Sequence, residues 1–162
     1  MRTTLALSLS AVFALSLLVA TPASATDPDV HGMKQIFADM EKALKAGDED
    51  AFKKRWVPLA YEKNLVGSSG LSGKSTFEQG SRKGWFLKPD MQTLGGVSRG
   101  EPWIVRCDIW SWKKNKAVDA VWVVFATHRK VSKLIGSGEN KKQVEDLARR
   151  WLHSKPLEPP TR

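Results

Sequence analysis

The chain has little of the chemistry that usually marks a site. Its one cysteine, Cys107, cannot close a disulfide within the chain, so the fold must stand on its core alone. The place of Cys107 in an alternating apolar stretch reads as a small buried residue rather than a reactive thiol. Three histidines, His31, His128 and His153, fall in separate elements without ligand spacing, and neither a metal nor a cofactor is expected. No serine sits in a Gly-x-Ser-x-Gly elbow, which leaves a nucleophilic triad unsupported. Gly73-Lys74-Ser75 looks like the end of a phosphate loop, but the glycine required five positions earlier is Ser68. The stretch reads instead as a loop and a helix cap with weak anion affinity at most. There is no internal repeat and no linker long enough to divide a domain.

Long apolar runs are equally scarce. Residues 5–20 form the one candidate, and they are too short and too rich in serine to span a membrane. Met1-Arg2 precedes them and Thr21-Pro22-Ala23-Ser24-Ala25 follows, so 1–25 reads as a secretory signal with a small-residue cleavage site. The expectation is an exported protein, periplasmic or extracellular, with no membrane span after cleavage. Residues 26–153 form its single domain and 154–162 a Pro-rich tail.

Negative charge is the third shortage. Seventeen acidic residues stand against 26 basic ones, a net +9. Lys113, Lys114 and Lys116 crowd one hairpin tip, and Lys141, Lys142, Arg149 and Arg150 the last helix. Such an excess keeps a small domain soluble or draws it to polyanionic surfaces. No nucleic-acid motif accompanies it, and no specific nucleic-acid partner is expected.

What is present is regular patterning. Met33, Ile36, Phe37, Met40 and Leu44 recur at helical spacing, and Gly47-Asp48 stops that helix and caps the next. Phe52, Trp56 and Leu59 mark the second helix, whose last turn Pro58 makes irregular. Ser75-Thr76-Phe77-Glu78 has capping-box spacing for a third helix that runs to Pro89 and carries Trp85 and Lys88. The period then changes to two. A modest strand at 91–97 precedes two strong ones at 103–112 and 117–128, joined as a hairpin, and a shorter strand at 131–137. Asn140-x-x-Gln143 caps an amphipathic C-terminal helix through Val144, Leu147, Ala148, Trp151 and Leu152.

Helices first and an antiparallel meander afterwards give an α+β class. Both strong strands are apolar on both faces in places, so something covers the second face, either the C-terminal helix or a partner subunit. A homodimer through the sheet is therefore expected.

The order of helix, Gly-Asp corner, helix, loop, helix and meander, carried best by residues 36–52, resembles the nuclear transport factor 2-like superfamily. The resemblance covers roughly residues 32–137. It implies a cystatin-like cone, helices packed on a curved antiparallel sheet, with the additional C-terminal helix as a departure. The superfamily's enzymes use acid–base pairs that find no residue-by-residue counterpart here, so it supplies no catalytic residue.

Aromatics are the unusual presence, with seven tryptophans. Alternation puts Arg106, Asp108, Trp110 and Trp112 on one face of one strand. In a cone pocket, Arg106 would orient an anionic ligand and a desolvated Asp108 would serve as general base. On the outer sheet face the same pair would be a structural salt bridge. Trp56, Tyr61, Trp85 and Trp122 complete the candidate ligand-binding set. The leading functional reading is an exported domain that binds a small apolar or anionic ligand. Its alternatives are a lyase or isomerase using Asp108 and a basic module for polyanionic surfaces.

Overall fold

A computed structural model of the chain describes residues 29–67, 70–98, 100–128 and 131–154. The leader expected over 1–25 and all but the first residue of the expected tail lie outside them. Helix α1 (Val30–Ala46) begins where Asp29 accepts the Gly32 N–H and ends at Gly47, whose φ of 67° and N–H bonds to Ala43 and Leu44 close the last turn. Asp48 then accepts the Ala51 N–H and opens α2 (Glu49–Lys53). The Gly-Asp corner therefore works as its sequence suggests.

The second expected helix is in fact two. After α2 the backbone extends so that Arg55 O accepts from Leu134 N and Val57 N donates to Leu134 O, both at 2.9 Å. Pro58 then starts α3 (Pro58–Glu62) at a position where its missing N–H costs nothing. The sheet's demand for backbone partners at Leu134 cuts the helix that periodicity alone would continue.

Helix α4 (Gly73–Lys83) also departs from expectation at both ends. Ser72, not Ser75, is the cap and accepts the Ser75 N–H at 3.1 Å. Gly84 takes a left-handed φ of 76° and donates to Gly80 O, so the helix stops at Lys83, six residues before Pro89. Trp85 and Lys88 accordingly belong to β1 (Trp85–Ser98), not to the helix. Pro89 is tolerated inside that strand because β1 is at the sheet edge, where an absent N–H breaks no ladder on the open side.

The sheet runs β1, β2 (Gly100–Ser111), β3 (Lys116–His128), β4 (Val131–Gly138), antiparallel throughout and in sequence order. It is open, neither closed nor strongly curled. Helices α1 to α4 lie on its inner face, where Phe37 meets Phe125 edge-on at 5.4 Å and Val105, Cys107 and Val123 are fully buried. Helix α5 (Lys141–Ser154) starts at a capping box, Asn140 and Gln143 each accepting the other's N–H, and packs on the outer face. Its Val144, Leu147, Ala148 and Trp151 are buried there. Gly136 and Gly138 let it approach: a Cβ on Gly136 would lie 2.6 Å from Leu147. No described helix is long and apolar enough to cross a membrane.

Candidate ligand-binding cleft

The seven residues singled out in the sequence divide among three places. Trp56 and Tyr61 are buried in the helical layer, with their rings against the start of α4 where Gly73 leaves room. The Tyr61 hydroxyl donates to Glu49 at 2.6 Å. Burial, with the Glu49 bond and charge added, pushes its ionisation well above the ordinary phenol range. The Trp56 indole N–H has no acceptor among the described residues.

Arg106, Asp108, Trp110 and Trp122 sit together on the outer face. Arg106 lies opposite Trp122 in the β2–β3 register, and Lys88 lies opposite Asp108. The Arg106 guanidinium donates to Asp108 at 3.1 Å, with both side chains more than a third exposed. Lys88 holds its ammonium 4.2 Å from the Trp110 ring centroid, and Lys141 from α5 lies 5.5 Å over Trp122. This is the geometry of a laced outer surface: lysine stems cover indole faces while their charges stay in water.

Of the set, Trp85 alone lines the cleft between α4 and the sheet. That cleft, about 580 Å³, opens where β4 ends and lies between α4 and the inner face of β2 and β3. Its apolar floor is Trp85, Ile109 and Val121, with Leu71 and Val118 at the sides. Ser111 and Ser137 bring buried hydroxyls to it. Gln79 and Lys83 project from α4, Lys114 from the β2–β3 turn, and Asp119 and Glu139 from the strand side. Lys83, Lys114, Asp119 and Glu139 form no ion pair with one another among the described residues, so their charges remain available to a ligand.

Two geometric events build this site: the first has a local signal in Gly84, a helix-stop glycine of the same kind as Gly47, and the second has none. The αL turn at Gly84 swings Trp85 from the helix onto the floor. A register shift between Ile109 and Trp110 leaves Val118 as an extra residue in β3. Alternation in β2 was legible, but the side of the sheet on which each alternate set would be covered was not. The described residues contain no cluster of His, Cys, Asp or Glu able to hold a metal. Cys107 is on the inner face beneath the helices, and burial, reinforced by the Asp108 charge, pushes its thiol ionisation up, which makes it inert.

Compared with protein-family models, with curated proteins and with solved structures, the chain gives no match.

Proposed function

We propose that the protein is an exported small-ligand-binding domain whose site is the cleft between α4 and the β2–β3 end of the sheet. The observation that carries the reading is the cleft itself. Its volume is of the size that encloses small molecules, and an apolar floor with a few convergent polar groups is the usual makeup of such sites. The chemistry it fits is amphipathic: a hydrophobic body on Trp85, Ile109 and Val121, and an anionic end toward Lys83 and Lys114. The nuclear transport factor 2-like resemblance supports the layering of helices over a sheet and contributes no residue to the site. With α5 packed on the outer face, the reading requires no second subunit.

The test is a titration of the isotope-labelled protein with hexanoate and, separately, hexylammonium, followed by amide chemical shifts. Saturable shifts should centre on Trp85, Ser111 and Val121, and hexanoate should be favoured. Gln79→Trp, which fills the cleft from the surface of α4, should abolish them. Shifts that are unsaturable at millimolar ligand, or that are unaffected by Gln79→Trp, would overturn the reading.

A further inference from the structure

The cleft contains the unpaired edge of a strand. Strand β3 pairs with β4 over residues 122–128, and β4 stops at Gly138, opposite Trp122. Residues 116–121 therefore pair with β2 on one side and, among the described residues, with no strand on the other. Four consecutive residues, Val118, Asp119, Ala120 and Val121, line the cleft, so its wall there is the strand edge itself.

The direction of the backbone groups follows from the ladder. Ser137 O accepts from Leu71 N at 3.3 Å, so Ser137 turns its carbonyl away from β3. Its neighbours Gly136 and Gly138 are then the residues bonded to Val124 and Trp122. Residues two apart in a strand point the same way, and no register shift separates Ala120 from Trp122. Ala120 thus aims its N–H and C=O at the free edge. Its N–H is held there by its neighbour's carboxylate, Asp119 Oδ1, at 2.8 Å. Such a carboxylate guards an open edge against indiscriminate pairing and gives way to a better-placed carbonyl.

We infer that the cleft takes a short peptide with free ends, which adds a strand to β3 in the line that β4 vacates. This rests on the proposed small-ligand site and names its ligand class. The charges argue for this occupant and fix its direction. A strand antiparallel to β3, like β4, starts beside Glu139 and ends beside the β2–β3 turn. The peptide ammonium then faces the Glu139 carboxylate, and the terminal carboxylate faces Lys83 and Lys114. The free edge spans about 17 Å at ~3.4 Å per residue, room for three to five residues. Alternate side chains of the peptide fall on the apolar floor, and main-chain bonds to Ala120 supply affinity independent of sequence.

The experiment titrates the protein with Val-Ser-Val-Ser-Val in four forms: free termini, C-terminal amide, N-methylated at the third residue, and all-D. A pool of tetrapeptides and pentapeptides with free termini, randomised over Val, Leu, Ser, Thr and Asp, is run beside them so that side-chain preference does not mask binding. The free-ended L-peptides should shift and protect the amide of Ala120 from exchange. Amidation should weaken binding at least ten-fold, and N-methylation and inversion should abolish it. A Lys83→Gln, Lys114→Gln double variant, altered only on the surface, should bind the acid and the amide equally. Hexanoate binding at Trp85 and Val121 without peptide protection at Ala120 would overturn the inference and leave the small-ligand reading standing. Absence of all binding in the cleft would overturn both. Concentration-dependent protection of Ala120 without peptide would assign the edge to a second copy and also overturn the inference.

Discussion

Tyr61 donates its hydroxyl to Glu49 at 2.6 Å, which ties the short helix α3 back to the first turn of α2. Both helices have five residues, too few to persist on propensity, so this bond and burial of the ring hold them. Tyr61→Phe keeps the ring and should cost about 1 kcal/mol at pH 7, since Glu49 regains water when the bond is lost. Urea midpoints measure this. The folded-state ionisation of Tyr61 is raised, so its contribution is whole below the unfolded value of 10.0 and falls as pH rises past it. The gap between wild type and Tyr61→Phe should narrow above pH 10.

Cys107 supplies a second alkaline effect. Its thiol is fully buried and its ionisation raised, while the unfolded chain ionises near 9.0. The folded state keeps a proton that the unfolded state releases, so stability declines above pH 9, with a slope from this group that steepens toward about 1.4 kcal/mol per pH unit. Cys107→Ala should lower stability at pH 7 yet show a shallower decline between pH 9 and 10. Urea unfolding of both proteins across that range checks the slope.

Gly80 should resist the usual helix improvement. Replacing an interior glycine by alanine ordinarily gains about 1 kcal/mol. A Cβ at Gly80 would lie 2.8 Å from the Trp85 carbonyl oxygen and 3.0 Å from a Leu44 methyl. Backbone oxygen cannot step aside, so Gly80→Ala should destabilise by ~1–3 kcal/mol in thermal or urea unfolding. Gly95→Ala, with nothing within 4 Å, is the control and should be near neutral.

The Arg106–Asp108 pair should matter little. At 41% and 35% side-chain exposure, water screens it, and Asp108→Asn should change stability by less than about 0.5 kcal/mol. Hexanoate binding in the cleft should be unaffected, because Asp108 lies on the opposite face.

Asn140→Ala should act through the outer layer. It removes the cap that accepts the Gln143 N–H at 3.1 Å and should cost about 1 kcal/mol. Hydrogen exchange should quicken across α5 before it quickens in β2 or β3.

The caps at Asp48 and Asn140, the Gly-Asp corner and the strands β2 to β4 were legible because each rests on neighbours within a few residues. Asp48 and Asn140 satisfy donors three positions on, and alternation from 103 to 112 needs no knowledge of a partner strand. The limits of the second and third helices were not legible. Leu134, nearly eighty residues downstream, claims the backbone of Arg55 and Val57, and the αL turn at Gly84 ends α4 early. Glycine permits that turn but does not require it.

The candidate site shows the same division. The sequence by itself determined that an α+β chain without disulfides would place Arg106, Asp108 and Trp110 on one strand face and bury Cys107 in a core. Only the tertiary structure decided that this face is the outer one, that α5 packs on part of it, and that the cleft forms where β4 ends short of β3. The reason is physical: period-two alternation specifies two faces equally well, and which face is roofed depends on helices packed from distant parts of the chain. The length difference between two paired strands likewise becomes an open edge only once their register is set.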